Sequence, residues 1–431
     1  MRDFFPDGMR LQNWLFDKWR GVSRAFGFQE YEGPIFEFLD LYRIKSGEGI
    51  VSELFSFTDR GGREFAIRPE MTPTLARMVA ARANALPRPI KWFSIPRMCR
   101  AEKPQRGRLR EFFQWNLDVL GVDDPLADAE VIAAAVEFFR SVGLTAADVV
   151  VRVNDRSIAT AMLEQAGVAR DRMETAFQWI DRMDRLAPED FAKAWDAEFG
   201  SVVSADGVRE LLEAATLETC AAEARAHGGD AVQHAERLEA LWGRLESLGV
   251  ADFCAFDVKI VRGLAYYTGS VFEATARRGG LRALLGGGRY DNLTAMLDGP
   301  SVPGVGFGMG DVPVLECLRD LKRLPELSES IDVFVIDADR ALFPDALALV
   351  GRLRAAGLSA DFSYKRVGVG KQFKQAAARN ARYAVVVGEE YAASRQVVVK
   401  DLNLGRQTTV ASEALGNRPA ETLANLRFDS T

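Results

Sequence analysis

Apolar positions near the start of the chain recur at helical spacing. Leu11, Trp14, Leu15, Trp19, Val22 and Phe26 put one hydrophobic stripe on residues 9–26, and Gly27 supplies a stop. Residues 27–37 then alternate and read as a strand interrupted at Pro34. Residues 54–59 and 63–68, on either side of Gly61 and Gly62, predict a β-hairpin. A helix over 72–85 follows, then a strand over 90–99, a charged loop over 101–109, a strand over 110–121 and a helix over 126–142. Strands joined by hairpins and flanked by helices predict an α+β domain with a largely antiparallel sheet.

The pattern changes at about residue 155. From there to about 250 the chain is rich in Ala, Glu and Arg, with helical periodicity at 209–215 and 231–248, and reads as a helical insertion. Strand patterns return at 256–262, 265–274 and 283–285, and a helix is predicted over 310–321. The polar stretch 321–330, with Pro325, reads as a linker. Beyond it, apolar strands at 331–336, 359–362 and 383–387 alternate with helices at 343–356 and 371–380. That alternation predicts a separate α/β domain with a partly parallel sheet. The expected organisation is a core over 1–325, carrying the insertion at about 155–250, and a second domain over 331–431.

Bulk properties narrow the class. At 431 residues, 48% of them hydrophobic and 27% charged, the chain fits a multidomain globular protein. No run approaches the ~18 apolar residues of a membrane span. The start, Met1 to Pro6, lacks the charged and apolar regions of a signal or transit peptide, so a cytoplasmic protein is expected. Cys99, Cys220, Cys254 and Cys317 are scattered and only His227 and His234 could join them, so no protein-bound metal is expected. A net charge of −6 argues against a partner that is nucleic acid alone. It leaves room for RNA on a local basic face.

The segment richest in chemistry is 97–118. Its loop carries Arg100, Lys103, Arg106, Arg108 and Arg110. Taken alone, such a loop reads as a solvated charged hairpin or as a holder of polyphosphate, which guanidinium forks grip well. In full, R-A-E-K-P-Q-R-G-R-L-R-E-F-F-Q over 100–114 resembles the second signature motif of class II aminoacyl-tRNA synthetases, and within them the histidyl-tRNA synthetase family. The resemblance implies a class II synthetase-like antiparallel sheet core and a two-step reaction. Histidine would be activated with ATP and Mg²⁺, then transferred to its tRNA. It implies that Arg100 meets the α-phosphate and the new carboxyl oxygen. Glu102 would lie at the adenine or ribose side, and Arg108 would reach the γ-phosphate.

Further stretches extend it. Residues 68–72, R-P-E-M-T, open a helix in which Thr72 could be the N-cap and Pro73 suits the first turn. The resemblance adds that Glu70 holds the α-ammonium of histidine, with Met71 and Thr72 beside it. Residues 262–267, R-G-L-A-Y-Y, could be core with a surface Arg. The resemblance implies instead that Arg262 bridges the histidine carboxylate and the α-phosphate, while Tyr266 and Tyr267 line the imidazole pocket with Gln114 and Asp118. A neutral imidazole has one donor and one acceptor edge, which an acid or amide and a phenol can read. The glycine runs at 286–288 and 304–310 could be tight turns or close approaches to a ligand. They resemble the stretch leading into the third class II motif. Residues 27–37 resemble the first, which in the family builds a homodimer interface. The C-terminal domain resembles an anticodon-binding domain, with Lys365, Arg366, Lys371 and Lys374 as candidate tRNA contacts beside Arg379 and Arg382.

Three departures stand out. Ala265 sits where the family commonly has Asp, Asp118 where it has Glu, and Pro313 where an ATP-clamping Arg is usual. A plant-organelle-like branch shares the Gly310-Asp311 ending, and Arg289 or Arg282 could compensate for the lost cation. The competing reading is a non-catalytic, histidine-sensing regulatory paralogue of ATP phosphoribosyltransferase, which would lack residues 331–431. A synthetase for proline or threonine would need a different pocket.

Overall fold

The computed structural model of the chain describes residues 2–46, 54–183, 186–261, 266–281, 283–365 and 367–427. It divides into two compact units, Met1–Pro325 and Glu326–Thr431. In the first, α1 (Pro6–Ala25), β1 (Gln29–Glu30), β2 (Phe36–Phe38), α2 (Leu39–Ser46), β3 (Ser56–Thr58), β4 (Glu64–Ile67) and α3 (Thr72–Arg82) come first. Then follow β5 (Ile90–Ser94), β6 (Arg97–Cys99), β7 (Glu111–Leu120), α4 (Pro125–Ser141) and β8 (Val149–Asp155). Helices α5 (Arg156–Gln165), α6 (Met173–Met183), α7 (Pro188–Phe199), α8 (Ala205–Ala214), α9 (Leu217–His227) and α10 (Asp230–Ser247) make the insertion. The unit closes with β9 (Cys254–Phe256), β10 (Ser270–Ala276), β11 (Leu285–Arg289), β12 (Gly304–Gly310) and α11 (Asp311–Asp320).

Among the described residues these strands build a nine-stranded sheet in the order β1-β5-β7-β12-β11-β10-β8-β9, with β6 pairing to β7. Only the outer pairs β1–β5 and β8–β9 are parallel. Pleating sorts its residues onto two faces. Trp115, Leu117 and Val119 of β7, Val305, Phe307 and Met309 of β12, and Val151 and Val153 of β8 share one apolar core with α1 and α4. Trp19 of α1 is fully buried there and stacks on Trp115 at 6.1 Å. The Trp115 indole donates to Ser23 Oγ at 3.0 Å, which satisfies a buried N–H. The other face carries Gln114, Asn116 and Asp118 of β7 opposite Gly310, Gly308 and Gly306 of β12.

A smaller sheet, β2-β4-β3, lies apart from the large one. In the second unit the sheet order is β14-β13-β15-β16-β17, where β13 is Val333–Asp337, β14 Ala360–Phe362, β15 Tyr383–Val387, β16 Gln396–Asp401 and β17 Gln407–Ala411. Strand β13 pairs in parallel with β14 and β15, and β15–β16 and β16–β17 are antiparallel, as the α/β alternation implied. Helices α12 (Phe343–Ala355) and α13 (Val369–Ala378) are its crossovers.

Four expectations need correction. β8 was not foreseen, because its run V-V-V-R-V-N-D is buried on both faces and shows no alternation. The strand expected over 90–99 breaks at Ile95-Pro96 into β5 and β6. Residues 257–261 and 266–269 are turns and loop rather than strand, so Tyr266 and Tyr267 lead into β10 from a loop. The glycine runs are not turns but β11 and β12 themselves. Replacing Trp19 with Ala removes a fully buried indole from the main core. The expected loss is ~3–5 kcal/mol of stability, read from urea unfolding of the two proteins.

Candidate active site

Six glycines make a floor. Gly286 and Gly288 of β11 and Gly304, Gly306, Gly308 and Gly310 of β12 all point to the face opposite the main core. Side chains from neighbouring elements lie in the space so vacated. A Cβ at Gly308 would stand 2.6 Å from Gln114 Nε2, one at Gly304 2.7 Å from Tyr290 Cε2, and one at Gly288 2.8 Å from Tyr267 Cδ1. A Cβ at Gly306 would run into the Asp118 carboxylate.

Acid and phenols gather at one end of this floor. Asp118 is buried and accepts a hydrogen bond from Tyr290 Oη at 2.6 Å. Burial pushes its carboxyl up from 3.8 to about 7, and the Tyr290 bond only partly opposes the rise. Tyr266, Tyr267 and Tyr290 form a cluster, with ring centroids 4.7 Å apart for the first pair and 6.1 Å for Tyr266 and Tyr290. Burial raises the Tyr266 phenol well above its ordinary value; the Glu70 carboxylate adds to the shift and a Thr72 hydrogen bond opposes it. That places Glu70 and Thr72 beside the phenols. Leu75, Val79, Leu293 and Val302 close this end with apolar packing.

The cation-bearing loop lies beside Glu70. Cys99 N–H donates to Arg68 O at 3.0 Å, and Arg68 Nε donates to Arg97 O at 3.0 Å. Arg100 Nε donates to Pro69 O at 3.0 Å, next to Glu70 in the chain, and its guanidinium lies 5.2 Å over the Phe112 ring. A phenyl face below a guanidinium is a platform for a planar base. Arg108 pairs with Glu102, and Arg106 with Asp320 of α11 at 2.6 Å. Arginines that reach a phosphate from such pairs exchange one anion for another, which limits the cost of binding.

Of the residues singled out from the sequence, Glu70, Thr72, Gln114, Asp118, Tyr266 and Tyr267 thus come together on the floor, with Arg100, Glu102 and Arg108 on the adjoining loop. Arg262, Ala265, Arg282 and Arg366 lie outside the described residues. Met71 is fully buried, its Sδ 3.9 Å from Arg68 Nη1, so its side chain packs rather than faces a ligand. Met71, not Thr72, is the N-cap of α3, and no side chain caps that helix. Thr72 is thereby free of the capping role and turns to Tyr266. Arg289 does not replace the missing cation. It is buried, paired with Asp128 and with Asp291 at 3.2 Å, and donates to Val122 O at 3.1 Å. In the second unit Lys365, Lys371 and Lys374 are exposed, whereas Arg379 pairs with Asp361 at 3.4 Å and Arg382 lies 5.0 Å over Tyr383. The sequence reading missed Phe112 and Tyr290. The period-2 alternation of β7 would have put Phe112 on the face of Gln114, and the burial of Tyr290 had no local signal.

An antiparallel sheet with a cation loop between two of its strands and a glycine floor is the architecture of the class II aminoacyl-tRNA synthetases. The crystal structure of histidyl-tRNA synthetase from Nostoc sp. PCC 7120 shares the fold with TM-score 0.79 at 24% identity, covering 97% of each chain. The family profile described as "Histidyl-tRNA synthetase" matches residues 1–311, and "Anticodon binding domain" matches residues 332–418. "Histidine--tRNA ligase" of Opitutus terrae is 42% identical over 96% of this chain and 95% of its own length. "Histidine--tRNA ligase, chloroplastic/mitochondrial" of Arabidopsis thaliana is 38% identical over 95% of this chain and 83% of its own. The chain belongs to the histidyl-tRNA synthetase family.

The buried acid gives a pH signature in the unliganded protein. Because the folded-state pKa of Asp118 is raised, stability from its protonated form is complete below about pH 4 and is lost as pH rises through about 7. Asp118→Asn keeps the neutral form at every pH. Urea unfolding at about pH 5 and about pH 8.5 should show the wild type losing stability relative to Asp118→Asn. An unchanged difference between the two proteins would place the titration elsewhere.

Proposed function

We propose that this chain is a histidine–tRNA ligase that forms histidyl-adenylate from histidine and ATP and passes the histidyl group to tRNA. The observation that carries the reading is the convergence of Glu70, Thr72, Tyr266, Gln114 and Asp118 on the glycine floor, beside the loop of Arg100, Glu102 and Arg108. Glu70 holds the α-ammonium of the substrate, and Gln114, Asp118, Tyr266 and Tyr267 surround the imidazole. The histidine carboxylate attacks the α-phosphorus of ATP, and the bond to the pyrophosphate oxygen breaks. A terminal ribose hydroxyl of the tRNA then attacks the adenylate carbonyl, and AMP leaves. No side chain forms a covalent bond in either step. Arg100 and Arg262 neutralise charge at the α-phosphate and hold the nucleophile in line, while Arg108 leaves Glu102 for the γ-phosphate. Mg²⁺ arrives with ATP as part of the substrate. Among the described residues no group of three or more His, Cys, Asp or Glu is arranged to hold a metal.

The domain at 332–418 supports tRNA as the second substrate and speaks against a histidine-sensing regulatory subunit, which has no use for one. Exposed Lys365, Lys371 and Lys374 suit phosphate contacts there. A cytoplasmic setting suits the chain, because Cys99, Cys220, Cys254 and Cys317 are free thiols, as a reducing compartment keeps them.

It works as a homodimer. In the small sheet, Phe38, Phe65 and Phe57 sit abreast across three strands, and Phe36 stands 5.5 Å from Phe65. Phe36, Phe38 and Phe57 remain 44–53% exposed. A row of solvated aromatic rings is the self-complementary surface that a two-fold contact uses.

Histidine-dependent ATP–pyrophosphate exchange tests the reaction. Exchange is expected in the purified protein and should fall by about 10²–10³-fold in Arg100→Ala and Arg262→Ala. Histidine binding without exchange would instead favour the regulatory subunit. For the dimer, Phe38→Glu combined with Phe57→Glu should halve the mass seen by sedimentation; an unchanged mass moves the interface elsewhere.

A further inference from the structure

Asp118 is one methylene shorter than the acid expected at its position, and the structure answers that shortening with hydroxyls. Tyr290 Oη donates to Asp118 Oδ1 at 2.6 Å. The bond occupies Oδ1 and leaves Oδ2 to accept from another donor. Two further hydroxyls lie close by. Tyr31 is half-buried with its Oη enclosed, within reach of the Asp118 charge, its ring 5.5 Å from Trp92, the cross-strand neighbour of Asp118. Ser94 lies two residues further along β5, opposite Asn116. The Tyr31 and Ser94 side chains face one another, yet both hydroxyl oxygens are buried without a well-formed hydrogen bond. Enclosed hydroxyls without a full set of partners are uncommon, and this pair, with Tyr31 near the Asp118 carboxylate, marks a place where a ligand or a water completes the network.

We propose that Tyr290 is a positioning residue that sets the imidazole-reading oxygen of Asp118, and that the Tyr31 and Ser94 hydroxyls bridge the remaining gap to the ring. The proposal rests on the histidine reading of this pocket. In it the ring donates its N–H to Asp118 Oδ2, directly or through one water that the two hydroxyls hold. The short acid, the phenol behind it and the hydroxyl pair then act as one specificity device. Gly306 leaves the room in which the carboxylate lies.

Histidine affinity by calorimetry without ATP, together with KM and kcat in pyrophosphate exchange, tests the device. Tyr290→Phe should weaken histidine binding and raise its KM about tenfold or more, with the change falling on KM rather than kcat and with KM for ATP unmoved. In an Asp118→Glu background the longer acid reaches the ring unaided, so the same substitution should cost less than about threefold. Tyr31→Phe and Ser94→Ala should each raise KM for histidine severalfold, and they carry the test if Tyr290→Phe does not fold. An effect of Tyr290→Phe that is equal in both backgrounds, or KM within about twofold in all three variants, overturns the proposal. Absence of exchange in the unsubstituted protein would count against the ligase reading alone, because calorimetry still reads the cluster.

Discussion

Two adjacent strands turn glycines to one side of the sheet and apolar side chains to the other. On β12 the alternation is strict: Val305, Phe307 and Met309 enter the main core while Gly304, Gly306, Gly308 and Gly310 face the site. Each glycine costs roughly 0.5–1 kcal/mol against a residue with a side chain. That cost is offset because these strands are central, with ladder partners on both edges, and because their other face buries large residues. A sheet built from ordinary strand formers would fold as well or better and would have no room at this place. The site is therefore a void purchased from the core's surplus, and the side chains that read a ligand lie flat on backbone.

The same geometry explains the electrostatics. Side chains resting on a glycine floor, under a cap of Leu75, Val79, Leu293 and Val302, are cut off from water on two sides. Asp118 then pays its desolvation with only a phenol for company, and its carboxyl moves up to about 7. The unliganded pocket is electrostatically incomplete at this end, while the loop end is satisfied through Glu102–Arg108 and Arg106–Asp320. A substrate that brings a hydrogen-bond donor to one end and anions to the other improves both. A purely apolar or purely anionic ligand improves at most one, and this is how a pocket without covalent chemistry can still be selective.

Where local pattern and tertiary context agree, the sequence was readable. The stripe of α1, the helix α4, the hairpin β3–β4 and the alternation of the second unit all follow from apolar spacing that packing then uses. β8 escaped because burial on both faces erases alternation. β11 and β12 escaped because strand propensity penalises glycine, so only pairing with β7 and β10 reveals them as strands. Of the candidate site, Arg100, Glu102, Arg108, Glu70 and Asp118 were singled out through the resemblance of short segments to family motifs, and the structure brings these segments together. Tyr290, Tyr31 and Ser94 were not, since each reaches the pocket from a different element and the sequence holds no record of which hydroxyl stands behind which acid. Arg289 misled for the converse reason: an arginine in a glycine-rich motif looks available until its partners Asp128 and Asp291 are seen.

The start of α11 bears on how phosphate is held in the proposed reaction. Pro313 stands where the family commonly places a cation, and a Cβ at Gly107 of the cation loop would come 3.9 Å from it. Two residues earlier Asp311, fully buried, accepts from Arg2 Nη2 at 2.7 Å and from the Phe113 N–H at 3.0 Å. An acid at the first position of a helix suits the positive end of its dipole, and this one also ties the helix to β7. Farther along α11, Glu316 and Asp320 draw in Arg106. The helix thus carries carboxylates on either side of Pro313, and it uses them to fasten the N-terminal segment and the loop. α11 is in this way the anchor of the loop, through Arg106, and of the N-terminal segment, through Arg2.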